Sequence, residues 1–157
     1  MTFAFDRKDR SVQAGVRRIA RAEARAALAC LRSDLTANPE AVHAVRKASK
    51  KLRGLLRLVR PGLDGAKAER SALRDTARQL STLRDAEVMR RTFERLAENL
   101  PDEANEALRA RLDQRKAQIA DPDALAEAIA AMTAAFEGIE ARARKWKIRG
   151  KEFDALA

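Results

Sequence analysis

The chain has 157 residues, with 33 Lys and Arg against 23 Asp and Glu, so its formal net charge is +10. That length suits one domain with a real core, and a hydrophobic fraction of 46% argues against disorder although 36% of residues are charged. No apolar run nears the roughly 20 residues of a membrane span, MTFAFDRKDR lacks a secretory h-region, and the single cysteine, Cys30, excludes an internal disulfide or a multi-Cys zinc site.

The first segment runs from about Asp9 to Leu35, with Val12, Val16, Ile19, Ala26 and Cys30 on one face at 100° per residue. Asn38, Pro39 and Glu40 then supply a cap, a first helical residue and a first-turn acid. The second segment ends at about Arg60, before Pro61-Gly62. The third is helix-compatible from Gly65 to Asn99, long enough that a break is expected near Leu83–Ala86. The fourth spans about Asp102 to Ala120, with Leu108, Leu112 and Ile119 inward. The fifth begins at Asp121-Pro122 and carries Leu125, Ile129, Met132, Phe136 and Ile139 at helical spacing. From Lys145 the period is lost. The pattern therefore predicts an all-α bundle of four to five antiparallel helices over residues 1–145, with a tail over 146–157. Few aromatics, no Tyr and abundant Ala and Arg also favour helix packed on helix over a sheet.

The charge is uneven. Between Glu40 and Asp64 there is no acid, yet Arg46, Lys47, Lys50, Lys51, Arg53, Arg57 and Arg60 all fall there, with His43. His43, Arg46, Lys50, Arg53, Arg57 and Arg60 follow intervals of 3, 4, 3, 4 and 3. They share an arc of about 100°. Val42, Val45, Ser49, Leu52, Leu56 and Val59 repeat those intervals one residue earlier, so a core seam lies beside a cationic seam. The cationic row is about 26 Å long, with a charge each turn. That geometry is a rail for a linear anion rather than a pocket for a small one. A solvated face usually mixes signs. Here the repulsion is relieved either by acids from neighbouring helices or by an external anion. Arg10, Arg17, Arg21, Arg25 and Arg32 form a second row, and Arg70, Arg74 and Arg78 a third, which converge with the first if the helices pack side by side. Arg outnumbers Lys by 24 to 9, and the guanidinium fork matches phosphate oxygens.

The run HAVRKASKKLRGLLRLV, His43 to Val59, followed by LRDTARQLSTLRDAEVM, Leu73 to Met89, resembles the first half of a CHAD domain, the conserved histidine α-helical domain. The tail WKIRGKEFDALA is similar to the linker into the family's second half. The resemblance implies a bundle of two pseudo-repeated halves with a basic channel, binding of inorganic polyphosphate, and association with polyphosphate granules. By position, His43, Arg46, Lys47, Lys50, Lys51, Arg53 and Arg57 belong to the basic surface, with Arg74, Arg78 and Arg84 from the next helix; the charge spacing adds Arg60 and, from the first helix, Arg21 and Arg25. A second His-led basic helix does not follow. Two copies are expected to supply the channel walls, or the chain to be half of a longer one. Apolar Leu55, Leu58 and Val59, placed across from much of the cationic row, point to the homodimer.

Other residues read as structural. Arg84 falls on the face of Leu73, Ala77 and Leu80, and Glu23 among Val16, Ile19 and Cys30, so Glu23 or Asp85 is expected to pair with a core-facing Arg. Cys30 reads as a small core residue and Trp146 as a cap on the bundle end. Gly54, mid-helix, costs about 1 kcal/mol relative to Ala. The function expected is non-enzymatic binding of polyphosphate by a cytoplasmic protein that needs no cofactor or metal. The alternative is an architectural nucleic-acid binder of phosphate backbones. Missing aromatic platforms disfavour single-stranded nucleic acid.

Overall fold

The structure, a computed structural model, describes residues 3–33, 39–97, 102–119 and 122–150, and within them all side chains except those of 39, 79–91, 94, 97, 102–105, 115–119, 122 and 124–125. These form five helices: α1 Val12–Leu31, α2 Pro39–Leu58, α3 Ala66–Ala97, α4 Asp102–Ile119 and α5 Pro122–Ala143. Among the described residues there is no strand, and no helix is long and apolar enough to cross a membrane.

Local chemistry sets the helix ends. Ser11 caps α1: the Ala14 N–H donates to its Oγ at 3.1 Å. Pro39 opens α2, where its missing N–H costs nothing, with Glu40 in the first turn and Arg57 in the last. The Leu63 N–H donates to Val59 O at 2.9 Å as the chain turns, and Gly65 takes φ +81° before α3 starts. Asn38 and Asp121, expected caps, lie outside the described residues.

Helix α1 packs on α2 and α5, and α3 packs on the same two, closing a ring of four. Thr76 Oγ1 lies 3.3 Å from Met132 Sδ, and Arg142 bonds Glu69. Together those contacts run α5 antiparallel to α3. Helix α4 packs against α3 alone to any extent. The expected break near Leu83–Ala86 is absent, and α3 is one helix of 32 residues. No Gly or Pro interrupts it, and its length lets it partner both α4 and α5.

The core centres on Val16, Val45, Leu52, Leu56, Val59, Leu73, Met132, Phe136 and Ile139. Several expectations change here. Leu55 and Val59 are buried, and of that trio only Leu58 is exposed, at 42%. Helix α2 lies between α1 and α3, so its apolar arc is wide, and the homodimer loses most of the exposed surface that suggested it. On α1 the inward row is Val16, Ala20, Ala24, Ala27 and Leu31, whereas Ala26 is exposed and Cys30 half-buried. Leu108 on α4 is exposed. Trp146, placed in a tail, is buried against the bundle. Arg17 donates from Nε and Nη2 to Trp146 O at 2.7 and 2.5 Å. The Ile148 N–H donates to Gln13 Oε1 at 2.9 Å, and Leu63 and Ile148 form an isolated antiparallel bridge. With the Arg149 N–H donating to Gly62 O at 2.9 Å, the packed body reaches Arg149.

A candidate anion-binding face on α2

Ser49 Oγ, fully buried, donates to Leu73 O at 3.2 Å and fixes the α2–α3 seam. Arg46 precedes Ser49 by three residues and Arg53 follows it by four, so both flank that seam. Each is half-buried. Arg46 Nη1 and Arg53 Nε are buried and have no hydrogen-bond acceptor. Outside them stand His43, Lys47, Lys50, Arg57 and Arg60, all exposed. Among the described residues, none of these seven side chains makes an ion pair or donates a hydrogen bond.

The exception in the row is Lys51. Its Nζ lies 2.7 Å from Glu23 Oε1 on α1 and 5.3 Å from the centroid of the Phe3 ring. Glu23 does therefore bond a cation from the next helix, but that cation is a lysine and not the arginine expected. A neighbouring helix relieves one charge of the α2 cluster and leaves seven groups, five exposed and two half-buried, without an acid partner among the described residues.

The CHAD domain family model matches residues 10–156, 147 of the 157 residues. The chain belongs to the CHAD domain family. No curated protein and no solved structure matches it.

In this CHAD chain the α1 row does not join the α2 face. Arg21 Nε lies 3.3 Å and Arg25 Nη2 2.9 Å from Glu140 Oε1 on α5, and Arg144 Nη2 reaches the same oxygen at 3.2 Å. Those hydrogen bonds, from Arg144 first and then Arg25 and Arg21, hold the Glu140 carboxyl below its ordinary value. Arg17 is committed to Trp146 O. The row turns toward α5 because Arg17, Arg21 and Arg25 sit one side of the α1 core stripe and α2 covers the other.

On α3, Arg74 follows Leu73 and is exposed, with Nε 2.9 Å from Asp75 Oδ1. That bond lowers the Asp75 pKa and raises that of Arg74. Arg78 is exposed and one turn on, and the Arg84 side chain lies outside the described residues. The α2–α3 seam therefore has Arg46 and Arg53 beside it on α2, whereas Arg74 and Arg78 are on the exposed side of α3.

Two features escaped the sequence reading. Glu140 gathers three arginines, a cluster that no spacing along one helix reveals. Asp9 bonds Arg18 Nε at 2.8 Å and Nη2 at 2.7 Å, pinning the N-terminal segment to α1. The Arg18 hydrogen bond, with one from the Asp6 backbone, lowers the Asp9 carboxyl to about 2. Among the described residues no group of His, Cys, Asp and Glu could hold a metal ion.

Proposed function

We propose that this CHAD chain binds inorganic polyphosphate, without catalysis, along the face formed by His43, Arg46, Lys47, Lys50, Arg53, Arg57 and Arg60, with Arg74 and Arg78 beside it. The observation that carries the reading is the pair of buried guanidinium nitrogens on Arg46 and Arg53 that lack acceptors. A buried N–H without an acceptor costs about 1 to 3 kcal/mol, and a phosphoryl oxygen entering the seam removes that cost with a charge-assisted bond. Six positive or titratable groups along about 21 Å of helix, with Arg60 in the turn that follows, suit a linear polyanion. The CHAD family's association with polyphosphate supports the same ligand.

No aromatic residue lies between Pro39 and Arg60, and the Phe3 ring, placed against α2, stacks over Lys51, so the row itself supplies no series of platforms for successive bases. Between Glu40 and Asp64 the chain has no acid of its own, and the carboxylate that reaches the α2 cations from α1, Glu23, is paired with Lys51. Association with polyphosphate granules in the cytoplasm belongs to this reading. Leu58 alone gives the homodimer little support, and the proposal does not need it.

Competition at fixed, near-physiological salt tests the reading. Long-chain polyphosphate is expected to displace a labelled duplex DNA at a concentration at least about tenfold below that of unlabelled duplex, a gap of about 1.4 kcal/mol. Equal or tighter binding of DNA overturns it in favour of phosphate-backbone recognition in nucleic acid.

A further inference from the structure

Gly54 sits in the middle of α2, fully inside a helix where glycine is the costliest residue other than proline. Glycine is needed in a fold for a positive φ or for close approach of other atoms. The positive-φ glycines are Gly65 and Gly150. A Cβ built on Gly54 meets nothing within 4 Å, whereas one built on Gly15 meets Phe5 Cε1 at 2.7 Å and Asp9 Oδ2 at 2.9 Å. Among the described residues neither use applies at Gly54, which points to close approach by something outside them.

The surroundings indicate what approaches. Lys47, Lys50, Gly54 and Arg57 follow intervals of 3, 4 and 3, so they are successive neighbours on one ridge. All four are exposed. The ridge has a gap at its third place, with a cation on the turn before and another on the turn after. Lys50 and Arg57 are seven residues apart, about 10 Å along the axis. Among the described residues the acid that reaches α2 from another helix, Glu23, is held by Lys51. We propose that Gly54 opens a notch in which one phosphoryl group of a bound polyphosphate rests against the α2 backbone, with Lys50 and Arg57 closing on it from either side. The inference rests on the polyphosphate reading of this face and adds to it a point of contact that carries no charge.

The test uses the full chain and long-chain polyphosphate as probe. Gly54→Ala adds one methyl group and removes no charge. Its melting temperature is expected to equal or exceed that of the parent, because Ala is the better helix former and meets nothing. Its polyphosphate affinity is expected to fall at least about threefold, and that of Gly54→Gln at least about tenfold, with the salt slope unchanged because the number of counterions released is the same. Affinity equal to the parent in both variants overturns the notch. Arg46→Ala and Arg53→Ala in the same assay separate the two claims. If they lose affinity and the Gly54 variants do not, the notch falls and the polyphosphate reading stands. If none of the four changes, both fall. A Gly54→Gln variant that loses self-association in sedimentation while keeping its anion affinity assigns the notch to a second copy of the chain, which also overturns the proposal.

Discussion

Lys51 Nζ donates to Glu23 Oε1 at 2.7 Å, while its chain neighbour Lys50 is exposed and pairs with no acid among the described residues. Adjacent lysines on one helix therefore have different duties: one joins α2 to α1, the other belongs to the outward face. Lys51→Ala should destabilise the fold by about 1 to 2 kcal/mol, since it strands a largely buried carboxylate, and should leave the salt slope of polyphosphate binding near that of the parent. Lys50→Ala should do the reverse, keeping stability and lowering the slope by about one counterion. Chemical denaturation paired with a salt series distinguishes them.

Arg46→Ala is expected to weaken polyphosphate binding about tenfold or more, the value of a charge-assisted hydrogen bond. Its unfolding free energy should stay within about 1 kcal/mol of the parent, because the nitrogen removed has no acceptor to lose. Arg111→Ala, on exposed α4, serves as the control. Equal losses at both positions would mean that diffuse net charge, and not the α2–α3 seam, attracts the anion.

The Asp9–Arg18 contact should hold the N-terminal segment against α1 until the pH is strongly acidic. The Asp9 carboxyl titrates at about 2 in the fold against an ordinary 3.8. A lowered carboxylate pKa stabilises the folded form above the ordinary value, and that stabilisation is lost as pH falls through about 2. Carbon-detected NMR of the Asp9 side chain should show this midpoint, and Asp9→Asn should bring forward tryptic cleavage at Arg7, Lys8 and Arg10 at neutral pH. A midpoint near 4 would show that the Arg18 contact is not held in solution.

Arg17 holds the segment after α5 by bonding Trp146 O. Arg17→Met keeps the stem and removes the two bonds, and should cost about 2 kcal/mol. Trp146 is the chain's one tryptophan and is buried, so its emission should shift to the red in the variant before helix content falls. A single coincident transition at the parent's midpoint would assign Trp146 its place by packing alone.

The seams of α2 were legible because two rows repeat the same intervals side by side, and the hydrophobic one proved to be core from Val45 to Val59. Leu55 was not, since a helix held between two others buries an arc wider than one periodic row. Alanine explains the misreading of α1. With Ala on nearly every face, the spacing cannot choose between Ala26 and Ala27, and the choice falls to where α2 and α5 arrive. The pairing of Lys51, Arg21 and Arg25 with acids was not legible for a related reason. Their partners Glu23 and Glu140 are on other helices, and a pattern read along one helix is silent about its neighbours. The expected break in α3 came from typical helix lengths; the chain instead extends one helix that both α4 and α5 use.

The bonds that seal the bundle join residues 129 and 135 positions apart. On a ribosome, α1 and α2 emerge and can meet early, but the flank of α1 that receives α5 stays uncovered until the segment around Trp146 and Ile148 has been made. Closure of so long a loop slows folding more than it weakens the finished protein. A nascent chain thus passes through a stage in which an alanine-rich helix flank and a strongly cationic helix are presented together, next to the ribosome's own phosphate-rich surface.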